Sequence, residues 1–396
     1  MQAPDMNHNA LMERLLAQTA SILRERGAGD WAARLHPAAR APAASGQRRT
    51  EAGDDIIDIV AREVQPSRSA LRSARYRQHV DAPPADTPVA GERRAPPADA
   101  TQTHPTPARQ PAAAGVDALL PRFSSGNYSH AQGTREYKLF LPAPSSVRAD
   151  AVAPAGRPLP LLVMLHGCTQ NADDFAAGTR MNEAAQRHGF AVLYPVQSQK
   201  SNPQRCWNWF KHSHQQRGRG EAALLADMTR HIVDTHGLDA RRVYVAGLSA
   251  GGAMAAVLGD CYPELFAAVG VHSGLAPGVA RDLPSALAAM NGSAAGGMTT
   301  APPKRPTIVI HGRRDATVHP SNAERFKADA NHRLRREAIA GGSREQRVDA
   351  DGRVWLEHWI IDGAPHAWSG GSPAGSYTHP AGPCATTAML RFFELG

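Results

Sequence analysis

The chain has 396 residues, 42% of them apolar, enough for one large core plus an appendage. Its formal charge of +8 comes from arginines scattered singly among Ala and Pro, without a run of five or six like charges, so no nucleic-acid partner is expected. Cys168, Cys206, Cys261 and Cys384 form no C-x-x-C pair and have no His at zinc-finger spacing, and no stretch nears the ~18 apolar residues of a membrane span. No structural metal and no transmembrane helix are expected.

Residues 8–26, HNALMERLLAQTASILRER, place Leu11, Leu15 and Ile22 on one side and Met12, Leu16 and Leu23 beside them, with charges opposite. This spacing predicts an amphipathic helix, closed by Gly27 and Gly29. Its stripe is expected to dock on the protein's own core or a second subunit, or else on a lipid or polymer surface. From about residue 37 to 114 the chain is rich in Ala, Pro, Arg, Gln and Ser. Such a segment buries too little apolar surface to offset chain entropy and reads as a largely disordered linker. Residues 1–118 are therefore expected to form an N-terminal region and 119–396 the folded catalytic domain. Near Met1 there is no charged start followed by an apolar core and a small-residue cleavage site, so the expectation is a cytoplasmic protein with free thiols.

Order is expected from about Leu119. Tyr137, Leu139 and Leu141 alternate between Gly and Pro boundaries, as in an opening antiparallel hairpin. Strands are then expected at 158–167, 190–195, 242–247, 266–274, 307–312 and 354–363, with helices at 180–188, 220–235 and 250–259. Short apolar strands alternating with helices predict an α/β fold, a mostly parallel sheet covered by helices on both faces. A site is then expected at the carboxyl ends of the strands.

Gly247, Leu248, Ser249, Ala250, Gly251 lie between the strand RVYVA and the small-residue helix GGAMAAVLG. A serine on so sharp a strand-to-helix turn needs small neighbours, because the two backbones come close while the hydroxyl is pushed outward. A hydroxyl needs a base within hydrogen-bond reach and a third group to orient that base. In the α/β-hydrolase order of Ser, acid, His, the candidates are Ser249, then Asp315 in HGRRDATVHP, then His366 in GAPHAWSGG, both just past strand ends. Asp362 is a rival acid, placed only four residues from His366. His272 and His311, inside strands, read as packed core residues; His319 stands in a loop and is a candidate to line the cleft; His358 lies inside a strand. The oxyanion of an ester's tetrahedral intermediate needs backbone donors, for which the N–H groups of Ala250 and Cys168 are the candidates, with His166 as an anchor for the loop. Trp207, Trp209 and Trp368 are candidate substrate-binding residues, or else local packing clusters.

The strings LHGCTQNADDFAAGTRMNEAAQRHGFAVLYP, RCWNWF, GRGEAALLADMTRHIV, RVYVAGLSAGGAMAAVL and HAWSGGSPAGSYTHPAGP resemble the poly(3-hydroxybutyrate) depolymerase family of esterases, especially its intracellular members. The likeness runs from about Phe123 to Phe393. It implies hydrolysis of hydroxyalkanoate esters through an acyl-enzyme on Ser249, Asp315 and His366, without metal or organic cofactor. It also puts the HGC turn at the oxyanion hole. After Ser273, Gly274, Leu275 this chain has Ala276, Pro277, Gly278 where many relatives carry Tyr-Gly, so the wall of the site is expected to differ. The expected partner is a polyester or small ester, with polymer-granule contact through residues 8–26. Competing readings are a feruloyl or acetyl esterase and a granule-binding scaffold; secreted relatives suggest an extracellular alternative for location.

Overall fold

A computed structural model describes residues 120–143, 157–293 and 301–396. The helix expected at 8–26, the linker after it and the boundary at 118/119 lie outside the described residues. The chain opens with the hairpin β1 (Arg122–His130) and β2 (Gly133–Leu141), then β3 (Leu161–Leu165), helices α1 (Ala172–Thr179) and α2 (Met181–His188), and β4 (Ala191–Pro195). Helix α3 (Gly220–His236), β5 (Val243–Leu248), α4 (Ala250–Cys261), β6 (Ala268–His272) and α5 (Leu283–Met290) follow. The last part holds β7 (Thr307–Gly312), β8 (Arg333–Ile339), β9 (Gly342–Val348), β10 (Val354–Ile361), the short strands β11 (Trp368–Ser369) and β12 (Thr378–His379), and α6 (Ala385–Phe392).

Ten strands form one sheet in the order β1-β2-β4-β3-β5-β6-β7-β10-β9-β8. From β4 to β10 every pairing is parallel, while the outer pairs on both flanks are antiparallel. β3 through β7 are buried along their whole length, which is why they read as unbroken apolar runs. The period of two still sorts their side chains: Leu161, Val163 and Leu165 join the core under α3 and α4, while Leu162 and Met164 join the opposite core with α1, α2 and α6. Helices thus cover both faces.

Strand order reverses between β3, which pairs with β4 on one side and β5 on the other. Ligands of open α/β sheets bind at such a switch point, beyond the carboxyl ends of the strands. Here those ends carry His166–Cys168 and Ser249.

The hairpin β8–β9 was not among the expected strands. Its sequence, RLRREAIAGGSREQRV, shows no apolar alternation because β8 is an outer strand with most side chains in solvent. Arg336 pairs with Glu345 at 2.6 Å, and Arg344 pairs with Glu337. Charges on such an edge oppose strand-to-strand association.

Candidate active site

Ser249 stands between β5 and α4 with φ 58° and ψ −120°, a backbone conformation that L residues rarely adopt. Two anchors hold it there: its N–H donates to His272 O at 2.8 Å, and its carbonyl accepts from Ala253 N at 2.9 Å. The glycines of the pentapeptide are required by close approach. A Cβ on Gly247 would overlap the Gly251 backbone, and one on Gly251 would overlap the carbonyl of Leu165. Strand β3, β5 and the start of α4 are therefore pressed together under the serine, whose residue is only 9% exposed.

Asp315 follows β7, two strands along from β5, and His366 follows β10, the next strand. The structure brings them together: His366 Nδ1 and Asp315 Oδ2 are 2.8 Å apart, with the carboxylate fully buried. The other carboxylate oxygen accepts the backbone N–H groups of Thr317 at 3.0 Å and Val318 at 2.8 Å. His311 Nε2 lies 3.4 Å from Oδ2. Burial alone would raise the Asp315 carboxyl, but His366 and His311 beside it outweigh that and hold it well below the usual carboxylate range. With Nδ1 committed to Asp315, His366 keeps Nε2 for a second partner.

The rival acid Asp362 is more than half exposed and paired with Arg313 at 2.7 Å. His272 and His311 are fully buried in β6 and β7. Burial lowers His272 to about 3. Its Nε2 accepts from Ser369 N at 3.1 Å, and its ring stacks on Trp368. His319 caps the short 3-10 helix at 320–325, its side chain accepting from Ser321 N. Burial also lowers His358, to about 4.

Across from the serine stands the turn after β3. A Cβ on Gly167 would lie 3.7 Å from Ser249 Cβ, so the two turns are in contact. In this turn Gly167 N donates to Gln170 Oε1 at 2.9 Å and Thr169 N to Gln204 O at 2.7 Å. Among the described residues, the N–H groups of Cys168 and Ala250 find no protein acceptor. Each is a free donor, Cys168 N between the bonded N–H groups of Gly167 and Thr169, and Ala250 N at a helix N-terminus, where the dipole favours negative charge. His166 anchors the turn from behind, fully buried and lowered to about 4 by that burial. It accepts Gln197 N on Nε2 at 3.1 Å, and its carbonyl accepts Trp207 Nε1 at 3.1 Å.

Two expectations are corrected. The four thiols are not all free: Cys168 and Cys206 are joined by a disulfide, with Cα atoms 4.2 Å apart across 38 positions, while Cys261 and Cys384 remain thiols. The pairing arises because the Thr169 and Trp207 bonds lay the 204–207 segment along the turn, a proximity that spacing does not reveal. The tryptophans proposed to grip substrate are turned inward: Trp207 and Trp368 are 0% and 1% exposed and Trp209 is 5% exposed. Trp368 donates to Thr386 Oγ1 at 3.1 Å and meets Phe175 edge-on; Trp209 packs edge-on against Phe210. Burying the large rings, with the indole N–H groups of Trp207 and Trp368 paired, gains more than exposing them.

Sequence reasoning missed the groups that shape the oxyanion turn. Gln170 accepts from Gly167 and gives its amide to Asp174 Oδ2 at 2.8 Å, while Ser376 N donates to Asp174 Oδ1 at 2.7 Å. Tyr377 OH and Thr169 Oγ1 are 3.1 Å apart. The contacts of Ser376 and Tyr377 span 202 and 208 positions of chain and carry no local signal. Among the described residues no group of three or more His, Cys, Asp or Glu side chains is placed to hold a metal ion.

A parallel-centred sheet with a serine on a strained strand-to-helix turn and a His–Asp pair beyond later strands defines the α/β-hydrolase class. Residues 137–349 match the family described as Esterase PHB depolymerase, and the chain belongs to that family. It is 30% identical over 285 residues to poly(3-hydroxyalkanoate) depolymerase C of Paucimonas lemoignei, covering 64% of this chain and 68% of that one. Feruloyl esterase B of Thermothelomyces thermophilus is 36% identical over 128 residues, 32% of this chain and 43% of that one. The chain spans about half the length of most of the curated relatives it matches. Among solved structures, acetyl xylan esterase from Aspergillus awamori shares the fold with TM-score 0.51 at 18% identity, over 69% of this chain and all of that one.

Proposed function

We propose that the protein is a serine ester hydrolase that cleaves ester bonds of poly(3-hydroxybutyrate) or related hydroxyalkanoate polymers and oligomers. The observation that carries the hydrolase reading is the buried Asp315–His366 pair at 2.8 Å, set at the same sheet edge as Ser249 and the two unengaged N–H groups. His366 Nε2 takes the proton as Ser249 Oγ attacks the ester carbonyl, and Asp315 steadies the imidazolium that forms. The N–H groups of Ala250 and Cys168 receive the oxyanion. As the intermediate collapses, His366 returns the proton to the leaving alkoxide, and the acyl group stays on Ser249. Water, deprotonated by the same imidazole, then releases the acid.

The hydroxyalkanoate substrate is supported by the family match and the Paucimonas relative. A feruloyl or acetyl ester is the second reading, favoured by the relatives of those names and by the inward-turned Trp207, Trp209 and Trp368, which do not present their rings to a polymer. Amorphous poly(3-hydroxybutyrate) granules, nitrophenyl butyrate and methyl ferulate, each offered to wild type and Ser249→Ala, separate the readings. Hydroxybutyrate release that Ser249→Ala abolishes supports the polymer reading; cleavage of the soluble esters alone shifts the substrate to the second. Granule contact through residues 8–26 is tested by deleting them and measuring cosedimentation with granules. The Cys168–Cys206 disulfide favours an exported location over the cytoplasmic one, because such bonds persist in oxidising compartments; fractionation of the producing cells tests this.

A further inference from the structure

Glu221 is a buried carboxylate that the reaction above does not use. It lies in the first turn of α3 and is 3% exposed. Its Oε2 accepts the backbone N–H of Asn208 at 2.7 Å, with His214 Nδ1 standing 3.6 Å away. Its Oε1 accepts the side-chain amides of Gln197 at 2.6 Å and Asn208 at 2.8 Å, and the Arg135 guanidinium at 3.4 Å. The donors come from β2, the segment after β4 and the loop before α3, and the 3-10 helix at 212–215 brings His214 beside them.

The donors lead to one place. Gln197 gives its backbone N–H to His166 Nε2 at 3.1 Å and its amide to Cys206 O at 3.0 Å. Asn208 follows Trp207, whose indole N–H holds His166 O at 3.1 Å. His166 immediately precedes Gly167 and Cys168, and Cys206 is bonded to Cys168 through sulfur. The two ties to His166 therefore begin at Gln197, which Glu221 holds, and at Trp207, the neighbour of Asn208, and the same Gln197 amide holds the carbonyl of Cys206 at the far end of the disulfide.

We propose that Glu221 is a positioning residue of the oxyanion hole: through Gln197 and Asn208 it sets His166 and the Cys206 end of the crosslink, and with them the Cys168 N–H. The inference rests on the ester-hydrolase reading of the site. A carboxylate suits the task because it only accepts, and all its neighbours present donors; a glutamine there would turn its own NH2 against one of them. Burial by itself raises the Glu221 carboxyl, but the nearby His214 and the hydrogen bonds from Gln197 and Asn208 outweigh it and hold the group below its ordinary value, so the anion is the resident form. A group of this kind acts on the transition state and not on substrate capture, because the oxyanion exists only in the former.

Glu221→Gln tests this on nitrophenyl butyrate, with kcat referred to titrated active sites and with a trifluoromethyl ketone of butyrate size as a probe whose hemiketal oxyanion fills the hole. The expected result is a kcat lower by about 10- to 100-fold with KM held within about twofold, and a ketone Ki raised by a similar factor. Glu221→Asp, which keeps the charge, should recover part of both. A kcat per active site and a Ki within about twofold of wild type overturn the proposal, because a merely structural carboxylate would reduce only stability and the number of active sites. Should Glu221→Gln fail to fold, Trp207→Phe removes the N–H bond to His166 along with part of the buried ring and must show the same split between kcat and KM; unchanged kinetics overturn the proposal. A wild type inert toward nitrophenyl butyrate overturns the ester-hydrolase reading instead.

Discussion

The turn carrying Ser249 and the turn carrying Cys168 face each other at the ends of β5 and β3, yet their backbones are held by different means. The first is set by its own neighbours: Gly247 and Gly251 permit an approach no side chain would allow, and the next strand supplies His272 O. The second has one tie of its own, from Gly167 to Gln170, and is otherwise held from farther along the chain, by Gln197 and Trp207 bonded to His166 and by the disulfide to Cys206. A nucleophile can be built by local sterics because one atom must protrude. A pair of donors aimed at a point in space needs a frame that spans several elements.

Breaking the first turn gives the largest effect. Ser249→Ala should lower kcat on nitrophenyl butyrate by on the order of 10⁶-fold with the melting curve unchanged; residual activity above about a thousandth of wild type would remove Ser249 from its role. Asp315→Asn comes next, with a loss of about 10⁴-fold measured in the same assay, because the amide favours the wrong imidazole tautomer.

The second turn is probed by stability. Replacing Cys168 and Cys206 together by Ala releases a crosslink closing 38 positions, and denaturant melts should show a loss of about 3–4 kcal/mol. Buried histidines behind the two turns, His166 and His272, and His358 inside β10 add a pH weakness. His166, His272 and His358 are lowered by burial to about 4, 3 and 4 from 6.5, so between those values the unfolded chain binds protons that the folded chain does not. Stability is full above about pH 6.5 and falls as pH drops toward 4, by up to about 1.4 kcal/mol per pH unit for each such histidine. Chemical melts at stepped pH measure the slope, and a stability flat from pH 7 to about 4.5 would contradict the buried neutral state. The smallest effect belongs to Asp362→Asn, which breaks an exposed pair with Arg313 and should leave kcat unchanged and stability within about 0.5 kcal/mol.

The parallel centre of the sheet was legible because β3 through β7 are buried on both faces and so are written as short apolar runs. The arm β8–β9 was not, because β8 is mostly exposed and β9 only half-buried, so neither strand writes an apolar period. Helix α5 was missed although Asp282 and Ser285 form a capping box at its start, since its eight residues bury little. The residues proposed for the triad could be named from motif and chain order. Their meeting at 2.8 Å depends on β7 and β10 being neighbours, which chain order does not state.

The sequence by itself determined what local chemistry dictates: small residues where strand and helix must touch, apolar runs where a strand has no wet face, and a serine with an acid and a histidine each placed after a strand. Only the tertiary structure decided which distant groups meet. It paired Cys168 with Cys206, turned Trp207, Trp209 and Trp368 into the core, and gathered donors from three segments onto Glu221. The physical reason is that burial and hydrogen-bond satisfaction are properties of the assembled interior, where the partner of a polar group is whichever segment packs against it.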